Sequence, residues 1–317
     1  MNNRMKILIA YDGVNPVEKK IDDLKRAGLP KDVEVKVMTT VDAFMPSTIG
    51  YSELSLPASS VAYMEAEREA ACERIEKELE RAKSKVELIA KRFQQVFPKW
   101  AVHSEAFIDS PTEGIIKKED EWKPNLIVVG SHGGSVVARF FLGSVARSVL
   151  IHSKCSVRIV RKHRKTKQPI RILIGMDGSA DSQFAVQAVA KRSWSKGTSV
   201  RLVTAFDQKM ASAIAFHQLP IAAKRFNPKG EGEEAWVRQM TSPFTEKLEA
   251  AGLKVSDTIK AGKPWKVLVE EAESWKADCI FIGARGLGKL DRFLLGSVSN
   301  AVASRAHCSV EVVREGF

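Results

Sequence analysis

Leu126-Ile-Val-Val-Gly-Ser-His-Gly133 is followed by nine residues and then Gly143-Ser-Val145. The apolar, β-branched run closed by glycine reads as a buried strand. Gly130 and Gly133 allow a sharp turn and the close approach of another molecule to the backbone. A helix opens at Gly143-Ser144, where Ser144 is suited to capping. Free N–H groups and the positive end of the helix dipole favour an anion there. Phosphate is the leading candidate.

The same stretch returns 153 residues later as Cys279-Ile-Phe-Ile-Gly283-Ala-Arg-Gly286, nine residues, and Gly296-Ser-Val298. Gly130, Gly133, Gly143 and Ser144 map onto Gly283, Gly286, Gly296 and Ser297 with one constant offset. One such loop is weak evidence, but a second in phase marks an internal repeat. Working outward, both copies open on a buried-strand pattern ending in an acid: Lys6–Tyr11 before Asp12-Gly13, and Arg171–Met176 before Asp177-Gly178. Helical spacing follows over Pro16–Leu24 in one copy and Asp181–Trp194 in the other, then strands over 33–41 and 199–206. Residues 42–60 and 207–232 read as long irregular loops, which could fold over the crevice as lids. Helices over 61–97 and 233–251, strands over 100–108 and 255–260, and helices opening at Pro111 and Pro264 complete the order up to the glycine loops. Terminal strands lie at 156–160 and 310–313.

Each half is therefore β-α-β-α-β-α-β-α-β, which predicts a doubly wound α/β fold with a parallel sheet and helices on both faces. Residues 1–160 form the first domain, 161–169 a basic linker, and 170–317 the second. Ligands of such sheets bind at the carboxyl ends of strands where strand order reverses. If strands one and four are neighbours, the acid and the glycine loop share one crevice.

The length of 317 residues suits two domains of about 150. Only five apolar residues, Ile7–Tyr11, precede Asp12, too few for a signal peptide, and no run approaches transmembrane length. A cytoplasmic protein without membrane contact is expected. Cys72, Cys155, Cys279 and Cys308 lack C-x-x-C spacing and read as small buried hydrophobes. The net charge of +12 raises nucleic acid as a partner. The densest basic run, Arg161–Lys167, lies between the repeats and reads as a solvated linker. No aromatic-interleaved basic motif accompanies it, so a nucleic-acid role is disfavoured.

These residues resemble the universal stress protein family in its tandem form: an Asp ending the first strand, then Gly-x2-Gly-x9-Gly-Ser/Thr after the fourth. The resemblance covers nearly the whole chain. It implies five-stranded sheets of order 3-2-1-4-5 and, in the ATP-binding branch, ATP (or AMP or ADP) between strands one and four of each half. Asp12 and Asp177 would face the ribose or a phosphate-bound Mg2+. The ends of the second strands near Val41 and Phe206 would flank adenine. Gly130, Gly133, Gly143, Ser144 and Val145, with Gly283, Gly286, Gly296, Ser297 and Val298, would hold phosphates. The family's Ser two residues after the first acid is present as Ser179, while Val14 stands there in the first half. His132 and Arg285 share one slot, so the two sites differ chemically, and an arginine offers phosphate more donors than a neutral histidine. The resemblance also implies pairing of the terminal strands within the chain as a pseudo-dimer, with a further homodimer possible.

The residues alone leave alternatives. Asp-Gly is a common turn pair. No P-loop motif occurs, and Gly286-Leu-Gly288 lacks the acid that a dinucleotide fingerprint needs. A nucleotide-binding regulatory or stress-response protein is the preferred reading. A slow ATPase, with His132 or Arg285 at the γ-phosphate, and a nucleotide-independent scaffold remain beside it.

Overall fold

The computed structural model describes residues 4–13, 16–43, 58–131, 142–161, 168–206, 233–287 and 295–315; for 58–61, 206 and 233–236 only the backbone is described. The first half consists of β1 (Met5–Ala10), α1 (Val17–Lys25), β2 (Val33–Val41), α2 (Ala58–Val96), β3 (Ala101–Ile108), α3 (Pro111–Trp122), β4 (Leu126–Gly130), α4 (Ser144–His152) and β5 (Ser156–Val160). The second half repeats it as β6 (Arg171–Met176), α5 (Ala180–Ala190), β7 (Ser199–Phe206), α6 (Glu233–Ala250), β8 (Lys254–Ala261), α7 (Pro264–Ser274), β9 (Cys279–Gly283), α8 (Ser297–Arg305) and β10 (Ser309–Val313).

All ten strands form one sheet in the order β3-β2-β1-β4-β5-β10-β9-β6-β7-β8. Each half has the 3-2-1-4-5 order, so β1 lies beside β4 and β6 beside β9, with Ile7 opposite Leu126 and Ile172 opposite Cys279. Pairing within each half is parallel. At the seam β5 and β10 run antiparallel, with Val310 opposite Ile159, Glu311 opposite Arg158 and Val312 opposite Val157. Apolar side chains on both faces of these strands bury a core on each side. One cluster spans both halves, from Leu8, Ile127 and Val157 through Val310 to Leu173 and Ile280. On the other face, α1 and α2 cover Ile7, Ile9 and Val128 in the first half. There α5 covers Ile172, Ile174 and Phe281 in the second.

Several boundaries differ from the sequence reading. Residues 58–60, read as loop, belong to α2, which runs 39 residues. Helix α5 stops at Ala190 rather than at Trp194. The cause is tertiary: the Ser193 N–H donates to the Gly28 carbonyl at 2.9 Å across the seam. Trp194 lies so close that a Cβ on Gly28 would come within 2.7 Å of its ring, and Gly28 has a φ of +64°. Glycine is needed there on both counts. The lid expectation falls largely on 44–57 and 207–232, outside the described residues.

The seam is sealed by buried charge. Arg158, with its side chain 1% exposed, donates to Asp23 at 2.5 and 3.1 Å and to Glu311 at 3.0 Å. Arg192 joins the same Glu311 carboxylate and also donates to the Ala27 carbonyl at 3.1 Å. A buried ion pair contributes little relative to apolar packing, but removing one partner strands the others. Arg158→Met therefore removes the buried guanidinium that Asp23 and Glu311 share. We expect a loss of about 3–5 kcal/mol in stability, read as a fall in the urea midpoint; an unchanged midpoint would show that water already reaches this network.

Candidate functional site

Both glycine loops are closed by the same backbone bonds. The Gly143 N–H donates to the Ser131 carbonyl at 2.8 Å, and the Gly296 N–H to the Ala284 carbonyl at 2.8 Å. Ser131 and Ala284 in turn donate their N–H groups to Val160 and Val313 on the neighbouring strand, at 3.2 and 2.9 Å. These bonds place the start of α4 or α8 over the carboxyl ends of the central strands. The serines do not cap, contrary to the sequence reading. Gly143 and Gly296 occupy the N-cap positions without a side-chain cap bond, and Ser144 and Ser297 are the first helical residues. Each helix therefore presents its first N–H groups without a side-chain acceptor, the arrangement that suits an anion.

In the second half these groups face a cavity of about 350 Å3. Gly296, Ser297, Val298 and Ser299 form one wall, with Gly283, Arg285 and Gly286 also lining the cavity and the Asp177 carboxylate against Gly286. The remaining wall is apolar: Val203 and Ala205 from alternate positions of β7, Pro264, Trp265 and Leu268 from α7, and Ile282 from β9. Arg305 sits over the Trp265 ring at 4.8 Å. Lys263 also lines the cavity.

The glycines are required by approach. A Cβ on Gly283 would lie 2.5 Å from the Asp181 carbonyl carbon, and one on Gly286 would lie 2.6 Å from Asp177 Oδ2. Asp177 is held by Ser179, whose N–H and hydroxyl donate to Oδ1 at 3.0 and 2.6 Å. Ser179 also caps α5, accepting from the Ser182 N–H at 3.2 Å. Burial pushes the Asp177 carboxyl above its ordinary value against these hydrogen bonds, and the Asp181 charge adds to the rise. Arg285 reaches back rather than forward. Its N–H, Nε and Nη2 donate to the Asp181 carboxylate at 3.0, 2.9 and 2.8 Å, and this pairing holds the guanidinium above its usual range.

Of the residues singled out from sequence, Asp177, Gly283, Arg285, Gly286, Gly296, Ser297 and Val298 come together around this cavity. Phe206 ends β7, and only its backbone is described; Val203 and Ala205 line the cavity from that strand. In the first half, Asp12 is exposed beyond β1, and its charge opposes the lowering of the Lys20 amine by burial. The Val41 carbonyl at the end of β2 accepts from the Asp109 N–H at 3.2 Å. Gly130, Gly143, Ser144 and Val145 hold positions equivalent to those of the second half. His132 and Gly133 lie outside the described residues. Among the described residues no group of three or more His, Cys, Asp or Glu is placed to hold a metal ion. Sequence reasoning missed Ser182, Trp265, Leu268 and Ser299. Trp265 directly follows the helix-opening Pro264, and Ser299 stands two residues past Ser297; those placements were the available signal.

Two doubly wound α/β units in one chain, each with an uncapped helix start over the crevice between its first and fourth strands (β1 and β4, β6 and β9), define a tandem α/β fold. The chain belongs to the universal stress protein family, whose pattern matches residues 3–161 and again residues 170–314. It is 27% identical over 220 residues to a universal stress protein of Mycobacterium tuberculosis, covering 68% of this chain and 70% of that one. A universal stress protein from Archaeoglobus fulgidus superposes with a TM-score of 0.62 at 21% identity, covering 98% of both chains. A Pseudomonas aeruginosa protein of unknown function superposes at 0.55 with 14% identity, covering 98% of this chain and 92% of that one. At such identities the structural likeness is one of fold. Among the described residues no helix is long and apolar enough to cross a membrane.

Two outcomes follow for the unliganded protein. A carboxyl whose folded pKa is raised favours folding below its unfolded value, near 3.8, and loses that contribution as pH rises through the folded value. At neutral pH the charged Asp177 thus opposes folding. Asp177→Asn keeps an acceptor for Ser179 and should raise the melting temperature at pH 7, with the gap closing below about pH 4; an equal gap at both pH values would contradict this. Gly283→Ala should lower stability by about 1–3 kcal/mol through overpacking against α5, measured by thermal denaturation.

Proposed function

We propose that the chain is an adenine-nucleotide-binding regulatory protein of the stress response, with one site in each half. The observation that carries this reading is the second-half cavity, about 350 Å3 and within the range of small-ligand pockets, with opposite chemistries on its walls. Adenine fits the apolar side, against Trp265, Leu268, Val203 and Ala205. Phosphate fits the α8 start, where the N–H groups of Ser297 and Val298 and the Ser297 hydroxyl are available. Asp177 accepts from the ribose hydroxyls or shares a Mg2+ with the phosphates. Mg2+ characteristically takes one or two carboxylates together with substrate phosphates, and a single aspartate suits that use.

Arg285 enters this reading as a group already paired to Asp181. Phosphate would have to compete with a bidentate carboxylate for it, so its part in binding is weaker than its position suggests. The first-half site differs in the residues equivalent by register. Thr112 stands for Trp265, Thr40 for Ala205, Ala146 for Ser299 and His132 for Arg285. The two sites should therefore bind with different affinity. The β5–β10 seam makes the chain a self-contained pseudo-dimer in this reading, able to report occupancy of either half to the other.

Calorimetric titration of the whole chain with ATP and Mg2+ should give two unequal sites. Trp265→Ala should weaken one of them at least about tenfold, a loss near 1.4 kcal/mol, and leave the other unchanged. No binding by the wild-type chain, or equal effects of Trp265→Ala on both sites, would remove the proposal.

A further inference from the structure

A second cavity, of about 490 Å3, opens at the other end of the sheet. It lies where Gly28–Lys31 lead into β2, where Lys99 and Trp100 lead into β3, and where Ile170 leads into β6. These are the amino ends of the strands, opposite the crevice of the glycine loops. Ser193 and Ser195 of the second half complete the wall, so the cavity belongs to both halves.

Its chemistry is one-sided. Lys25, Arg26, Lys31 and Lys99 line it, and among the described residues no acidic one does. Arg26 is paired with Asp278 at 3.0 Å and Lys25 with Asp22 at 4.0 Å. Lys31 and Lys99 are exposed and form no ion pair among the described residues. The aromatic part of the lining is the half-buried Phe97 ring, backed by the buried Trp100. The rings of Phe97 and Trp100 stack at 3.9 Å with 6° between their planes, and Trp100 Nε1 donates to the Pro30 carbonyl at 3.3 Å. The stack is thus fixed in orientation before any ligand arrives. A concave site with a rigid aromatic wall, serine hydroxyls and two uncompensated ammonium groups has the features of a small-ligand pocket. Its charge selects an anion, and its floor selects a body with apolar rings.

We propose that this cavity binds a small aromatic anion, its ring against the Phe97–Trp100 wall and its carboxylate, sulfonate or phosphate head held by Lys31 and Lys99. A ligand seated there touches both halves and stabilises their junction. Its site is separate from the glycine-loop crevice, so nucleotide does not compete for it directly.

The test uses the full chain and 8-anilinonaphthalene-1-sulfonate, a ring system with a single sulfonate, titrated in saturating ATP and read by energy transfer from tryptophan. One saturable site per chain is expected. The double variant K31E/K99E should weaken it at least about tenfold. K77E/K83E, a charge-matched change on the exposed face of α2, should leave it unchanged. All four lysines are exposed, and the Lys77–Glu73 and Lys83–Glu80 pairs that the control breaks are surface pairs of small worth, so both variants should remain folded, as checked by their melting. The proposal is overturned by absence of a saturable site in ATP, by equal affinity in K31E/K99E, or by equal weakening in the two double variants. The last result would mean that the general positive field of the chain, not this cavity, attracts the probe.

Discussion

The pairing of Arg158 with Glu311 at the centre of the sheet is the interaction on which the architecture depends. The two residues face each other across β5 and β10, and both are almost wholly shielded from water. Charges at that depth persist only when every one finds its counterpart. Asp23 from α1 and Arg192 from the end of α5 provide the rest, so four groups from both halves close one network. Arg158 and Glu311 are equivalent positions of the repeat, 153 residues apart. The seam is thus complementary only between unlike halves. Two first halves paired through β5 would set Arg158 against Arg158 in a place with no water to separate them. The repeat is symmetrical in its backbone and antisymmetrical in its charge.

A second constraint is backbone proximity. Gly283 and Gly286 stand where a methyl group would collide with α5 or with Asp177, and Gly28 stands where it would collide with Trp194. Gly283 lets helix α5 approach the crevice closely enough for Asp181 to meet Arg285, and Gly286 leaves room for the Asp177 carboxylate. The third lets the turns after α1 and α5 cross. Dense contact of this kind is unforgiving to added volume, so glycine does in the crevice and at the seam what no other residue can.

The two crevices share a frame and differ in their lining. Strand order, loop closure and the uncapped helix start are the same in both halves. Trp265, Ser299 and the Asp181–Arg285 pair belong to the second half alone, as their first-half equivalents are Thr112, Ala146, Pro16 and His132. Asp177 is anchored by Ser179, while Asp12 has Val14 in that place. A raised Asp177 carboxyl is the electrostatic consequence of its burial in the second-half crevice.

Fold and crevice were legible because they rest on local signals. Apolar strand runs, helix-opening prolines and glycine spacing each depend on a few neighbouring residues, and their recurrence at one offset set the topology almost by itself. Asp177, Gly283 and Gly296 could be named for the same reason. What sequence could not reveal depends on side chains far apart in the chain. Ser144 and Ser297 look like caps, yet backbone bonds from Gly143 and Gly296 fix the helix starts one residue earlier. Arg285 looks like a phosphate ligand, yet Asp181, 104 residues away, takes its guanidinium. The Asp23–Arg158–Glu311–Arg192 network and the basic cavity beneath it have no local signature, because they exist only where two halves are brought together. Local pattern determined the two units; long-range charge and contact decided how they join and what each crevice offers a ligand.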